Sequence, residues 1–200
     1  MNIRKTLAIF GILFFISLGA SAQKVGIKTN LISDAATSPH LGVEFKMSPK
    51  WTFEIAGQLN AWNIHERRWR HWMAQPEVKV WYCEAFQGSF WGLHAIGGQY
   101  NIGNFGNFGG NILDHLNFLG SDFSKLKDHR YQGWGVGAGI SYGYDWILAK
   151  HWNLEFEIGV GYIYTWFDRY PCGECGSIEG SGHHNYFGPT KLSLAIEYLF

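Results

Sequence analysis

The run from Trp134 to Trp146 leaves this chain few folds to choose from. Its even positions are Trp134, Val136, Ala138, Ile140, Tyr142, Tyr144 and Trp146; its odd positions are Gly135, Gly137, Gly139, Ser141, Gly143 and Asp145. Successive side chains of a strand point to opposite faces, so this period of two predicts one long strand with an apolar face and a small, polar face. A soluble sandwich hides its large residues and shows polar ones to water. Here the large face ends in aromatic rings and the other face is almost bare. A membrane barrel has those needs: bulk toward lipid, and small residues around a narrow, crowded lumen. The strand exceeds the ~10 residues that a tilted strand needs to cross a bilayer core.

The N-terminus points to export. Arg4 and Lys5 precede an apolar run from Leu7 to Leu18, and Ala20-Ser21-Ala22 supplies a small-residue cleavage pattern. Residues 1–22 read as a secretory signal peptide, with Gln23 leading a single mature domain over 23–200. The run is shorter than the ~20 residues of a spanning helix. No cysteine follows the cut, which argues against a lipid-anchored N-terminus. The chain carries 16 basic and 16 acidic residues, and losing Arg4 and Lys5 leaves an acidic excess. That excludes the basic surface a nucleic-acid partner requires. Aromatic residues at 18% and 26 glycines suit a barrel with aromatic girdles and glycine-lined strands.

Read in order, the alternation recurs about eight times. Val25 to Leu31, Leu41 to Met47 and Trp51 to Asn60 form the first three strands. A polar loop, His65 to Arg70, leads to a fourth strand from Trp72 to Tyr82, with a bulge expected at Pro76 because proline removes a ladder donor. The fifth strand runs from Phe90 to about Gly103. A long connection with a helical turn near 113–119 leads to the sixth, which holds Trp134 to Trp146. The seventh starts at Trp152, and the eighth ends at Phe200. Short turns at 48–50, 83–88 and 148–151 alternate with longer loops. The fold class is therefore all-β: an eight-stranded, antiparallel, up-and-down transmembrane β-barrel with short periplasmic turns and longer extracellular loops. The segments opening at Trp51 and Trp152 echo each other, through a duplicated hairpin or through shared girdle chemistry.

Several motifs carry a resemblance. Lys28-Thr29-Asn30-Leu31, Pro39-His40-Leu41-Gly42-Val43-Glu44, Gln75-Pro76-Glu77, Lys127-Asp128-His129-Arg130-Tyr131-Gln132-Gly133 and Gly182-His183-His184-Asn185-Tyr186-Phe187-Gly188-Pro189 span nearly the whole mature chain. With them the chain resembles a Bacteroidota outer-membrane β-barrel family that carries a domain-of-unknown-function label. Members of that family are often encoded near fimbrial components. The resemblance implies an envelope or surface-assembly context, with fimbrial or surface components among the partners, and supplies no catalytic residues.

The chemistry-bearing residues fall into three groups. Lys28, Glu44, Lys46, Glu54, Glu77, Lys79, His94, Glu155, Glu157, Lys191 and Glu197 share the inward parity. Charges in a filled lumen must pair, so they read as a salt-bridge network, with a proton or ion path as the sharper alternative. Barrel enzymes that modify lipid A would need a serine or histidine–acid set at the outer, lipid-facing rim; His94 instead points inward among the structural charges, with no serine evidently paired with it. Cys172 and Cys175 lie in an exported loop and read as a disulfide, with zinc held alongside His183 and His184 as the alternative; Cys83 reads as free. Arg67, Arg68 and Arg70, interleaved with Trp69 and Trp72, are candidate contacts for lipopolysaccharide phosphates, or a plain solvated loop. The expected role is structural, surface-assembling or binding, without catalysis, cofactor or resident metal. The expected partners are outer-membrane lipid and lipopolysaccharide, the barrel-insertion machinery, and surface components.

Overall fold

The computed structural model describes residues 25–64, 67–103, 117–118, 121–122, 129–171 and 177–200. Eight strands build it: β1 (Val25–Asn30), β2 (His40–Ser48), β3 (Trp51–Asn60), β4 (Arg67–Trp81), β5 (Gly88–Gly103), β6 (His129–Ala149), β7 (Trp152–Pro171) and β8 (Gly180–Leu199). Each pairs antiparallel with its neighbour in sequence. β3 pairs directly with β4 along its whole length, and β8 returns to β1, so the sheet closes into an up-and-down barrel. Closure pairs Gly26–Asn30 of β1 with Ala195–Leu199 of β8, and Phe200 N–H donates to Val25 O at 2.9 Å. Among the described residues, no helix is long and apolar enough to cross a membrane.

The parity read from the sequence holds around the ring. Trp134, Ile140, Tyr142 and Ile158 are exposed on the outside, Ile140 at 52% of its surface, while Ser141, Gly143 and Asp145 between them are buried. Aromatic rings gather at two levels of the outer face. Near the turn end, Trp152 packs edge-on against Tyr198 at 5.0 Å and Tyr198 against Phe200 at 4.9 Å. Near the loop end, Trp72 packs edge-on against Trp134 at 5.8 Å, and Trp134 is the ladder partner of Trp166. On β6 these levels are Trp146 and Trp134. With a rise of ~3.3 Å per residue and a tilt of about 40°, the spacing is about 30 Å along the barrel axis.

Four local readings are corrected. Leu31 leaves the sheet: Asn30 caps a single helical turn, α1 (Leu31–Ala35), its side chain accepting from Ile32 N–H at 3.1 Å. Pro76 makes no bulge. The β4–β5 register is unchanged from Ala74↔Gly97 to Glu77↔His94, and β3 runs through Ile55↔Pro76 without a shift. Pro76 faces outward, and the missing donor is met by leaving a gap in pairing rather than by adding a residue. An extra residue does occur at Thr190, where pairing steps from Gly159↔Lys191 to Val160↔Pro189. Arg67, Arg68 and Arg70 lie on β4, not in a loop, because the ladder to β5 extends to Arg68↔Gly103. Of the expected helical turn, Asn117–Phe118 instead pairs with Ser121–Asp122 as a short two-stranded sheet; residues 113–116 and 119 lie outside the described residues.

Candidate functional site: a layered lumen

The inside of the barrel is stacked in layers. At the turn end, Trp81, Ala85, Phe86, Phe90 and Leu199 form an apolar plug. Phe86 reaches it from the 82–87 turn with a left-handed backbone, φ 67°, which a bulky residue adopts only where packing holds it there. Trp81 packs at a tilt against Phe90, ring centroids 4.6 Å apart, and donates its Nε1–H to Thr52 Oγ1 at 3.0 Å. The Lys79 ammonium lies 4.6 Å over the Phe90 ring, joining the plug to the charged layer above.

That charged layer is dense. Lys28 donates to Glu44 Oε2 at 2.5 Å and to both oxygens of Glu155 at 3.0 Å, and stands 3.0 Å from Glu54. Lys79 lies 2.8 Å from Glu54, 2.8 Å from Glu155, 3.1 Å from Glu44 and 3.8 Å from Glu157. Lys191 bonds Glu77 and stands 2.8 Å from Glu157. Cross-strand pairing places Glu44 opposite Glu54 and Glu54 opposite Glu77, like charges held together only by the lysines between them. Glu54, Glu155 and Glu157 bring carboxylate oxygens within 4.8 Å of one another, close enough to ligate one metal ion. The Lys79 ammonium already stands among the three. Seven buried carboxyl groups (Glu44, Glu54, Glu77, Asp145, Glu155, Glu157, Glu197) thus face three ammonium groups (Lys28, Lys79, Lys191).

The glycine rows make this layer possible. A Cβ at Gly26 would overlap the Glu197 carboxylate, and one at Gly92 would overlap Glu77 and the Ser141 hydroxyl. A Cβ at Gly159 would come within 2.9 Å of the His94 ring and 3.1 Å of Lys191. Small residues on one strand leave the volume that long charged side chains of its neighbours fill.

The layer holds most of the inward-parity set but not all of it. Lys46 lies at the turn end instead, near the end of β2, pairing at 3.1 Å with the exposed Glu84. Glu197 is fully buried, yet its nearest ammonium, Lys28, is 3.9 Å away and neither of its oxygens receives a hydrogen bond. His94 bonds Thr190 Oγ1 through Nε2 at 2.8 Å, while its Nδ1 is 3.8 Å from Glu77, beyond hydrogen-bonding reach. Glu77 instead accepts from the Ser141 hydroxyl at 2.5 Å. This histidine, threonine and acid lie inside the wall, away from its outer face. Sequence reading missed Thr190 and the plug. Pro189 signals the irregular pairing, and Trp81 and Phe90 stand on the inward parity beside Lys79 and His94.

Above the charges the inward residues turn apolar, with Ile96 and Ile163 flanking Gly137 on the ladder. Beyond them the lumen opens into a cup of about 470 Å³. Its ring is one continuous ladder level: Asn60↔His71↔Tyr100↔Gly133↔Phe167↔Gly182. His71 contacts Gln58 at 3.0 Å, and Asn60 is tied to Thr37 O at 3.0 Å.

The remaining site residues lie apart. Arg70 is exposed on the outer face two residues beyond Trp72; Arg67 and Arg68 are on the same strand. Cys83 is free and exposed at the turn end. Cys172 and Cys175 lie outside the described residues. His183 and His184 sit on β8 rather than in a loop. His183 stacks on the ring of Tyr164 at 5.7 Å. Neighbouring strand residues face opposite sides, so the two imidazoles do not converge on one metal.

The fold and its contents define a class: a closed, up-and-down β-barrel with a charged, plugged interior and a bulky apolar exterior. The chain belongs to the family described as Protein of unknown function (DUF3575), whose model matches residues 8–200. No curated protein and no solved structure matches it.

Proposed function

We propose that this protein is an exported outer-membrane barrel that presents a binding surface at its loop end and performs no catalysis. The observation that carries the reading is the outer face: apolar side chains between two aromatic levels about 30 Å apart, the layout of a bilayer-spanning wall. The plug and the charged layer fill the lumen, which favours an anchoring and recognising role over a channel. In this reading the turns face the periplasm, and the loops and the cup face outward. Arg70, with Arg67 and Arg68 on the same strand, stands just beyond the outer aromatic level, where lipopolysaccharide phosphates lie. Surface or fimbrial components are the corresponding protein partners. Two measurements test this. Cell fractionation should recover the protein with the outer membrane as a heat-modifiable band; release without detergent contradicts it. Lipid A from cells lacking the protein should have wild-type mass; a changed mass reveals an enzyme.

A further inference from the structure

We propose that the upper edge of β8, Ser181–Phe187, is a docking site at which an extended, β-prone segment of a second polypeptide adds a strand to the wall. This rests on the reading that the loop end faces outward, and it adds a mode of recognition to it. β1 pairs with β8 only over Ala195–Leu199, then turns away after Asn30 into α1. β8 continues along β7 to Gly180. On its other side, among the described residues, no strand lies beside it above Ala195. A residue in an antiparallel ladder sends its N–H and C=O together toward one neighbour. Leu194 N–H donates to Asn30 Oδ1 at 3.2 Å, and Leu192 O accepts from Asn30 Nδ2 at 3.1 Å, so even positions face the gap there. The extra residue at Thr190 passes that role to odd positions: Pro189, Phe187, Asn185, His183 and Ser181. His184 O accordingly points the other way, accepting from Thr165 Oγ1 on β7 at 3.2 Å.

The two halves of this edge are built differently. Below, Asn30 covers Leu192 and Leu194, Thr190 interrupts the ladder, and Pro189 offers no N–H while its C=O accepts from the Tyr186 hydroxyl at 3.1 Å. Caps, bulges and prolines are the devices that stop an edge from pairing. From Ser181 to Phe187 the sequence has no proline, lysine or other formally charged residue. The outward side chains change there from Leu192, Pro189 and Phe187 to Asn185, His183 and Ser181, and His183 is the ladder partner of Trp166, so the bare stretch lies where the wall leaves lipid. An added strand would run antiparallel in the slot that β1 leaves above Asn30. Main-chain hydrogen bonds would supply affinity, and the exposed Phe187 a contact for an apolar side chain. A second copy does not fit this slot. Copies in one membrane are related by rotation about its normal, and strands tilted by about 40° would then cross at about 80°, which no ladder tolerates. A flexible segment of another protein is free of that constraint.

The probe is a fluorescent peptide copying Tyr162–Phe167, the stretch of β7 that already pairs with Gly182–Phe187 from the other side, flanked by lysines for solubility. It is titrated with the full mature barrel in detergent, and binding is the rise in anisotropy beyond that given by empty micelles. Two versions carry N-methyl groups on alternate amides, one at Tyr162, Tyr164 and Trp166, the other at Ile163, Thr165 and Phe167. One set points its amides at β8 and the other away, so one version should bind about tenfold or more weakly and the other like the parent. Asn185→Pro and Phe187→Pro each remove an edge donor while sparing the ladder to β7, and each should weaken binding by a similar factor. Should one variant fail to fold, the other decides. The inference is overturned if the parent peptide does not bind, if the two methylated versions behave alike, or if folded proline variants bind it undiminished. A barrel that sediments as a dimer without peptide, and is split by the proline changes, would give the edge to a second copy and overturn it too. The titration uses purified barrel, so its failure leaves the fractionation result standing, and a failed fractionation leaves the titration standing.

Discussion

The surplus of acid in the lumen makes lysines and glutamates unequal, and that inequality is measurable. Lys79 is fully buried and stands within 3.1 Å of three carboxylates. Replacing it with methionine keeps most of the volume and removes a cation from a layer already short of them. A hydrogen bond to a charged group is worth about 1.5–3 kcal/mol, and breaking a buried ion pair costs ~3–5 kcal/mol. Lys28 shares Glu44, Glu54 and Glu155, so the three contacts do not add, and the expected loss for Lys79→Met is about 3–5 kcal/mol. Glu197→Gln is the opposite case. It keeps the shape, removes one member of the surplus, and disrupts no hydrogen bond to its carboxylate. Its expected effect lies between none and a gain of about 1 kcal/mol. Urea unfolding in lipid vesicles, followed by tryptophan fluorescence, measures both. Adding Glu155→Gln to Lys79→Met should cost less than the two single changes together. The argument fails if Lys79→Met unfolds within about 0.5 kcal/mol of wild type, or if Glu197→Gln costs as much as Lys79→Met.

Three further perturbations probe other layers. Ile140→Arg puts a charge midway between the aromatic levels and should cost about 2–4 kcal/mol of folding into bilayers; the same folding equilibrium in vesicles reads it, and an unchanged value contradicts a lipid-facing Ile140. Gly92→Val drives side-chain atoms into Glu77 and Ser141 and should cost ~1–3 kcal/mol or more, visible as a lowered melting temperature in detergent. Deleting Tyr198–Phe200 removes part of the strand that closes on β1, and should shift the protein from the outer-membrane fraction to degraded or periplasmic material; a normal heat-modifiable barrel would show that this end is dispensable.

Much of the architecture was legible because a strand has a period of two and a closed wall has two very different faces. Ile140, Ser141 and Tyr142 already state which side each residue takes, and the structure keeps them there. What escaped depends on neighbours far away in sequence. Lys46 has the inward parity of Glu44, but its position near a strand end puts it beside Glu84. Phe86 enters the lumen only because its turn adopts a left-handed φ, which no periodicity announces. The helical turn after Asn30 was readable in principle, from an asparagine cap followed by Leu-Ile-Ser-Asp, but it is too short for a hydrophobic period to show. The cup was invisible for a different reason: its six ring positions come from six strands, and the register that aligns them is a property of the closed barrel.

The central claim is that the bulky outer face lies in lipid. Nitroxide labels placed singly at Trp134, Val136, Ala138, Ile140, Tyr142, Tyr144 and Trp146, in the barrel reconstituted into vesicles, test it directly through collisions with dissolved oxygen and with a water-soluble nickel complex. The account predicts a depth profile with its maximum near Ile140 and a fall toward both Trp134 and Trp146. A flat profile with every position open to the nickel complex would contradict it.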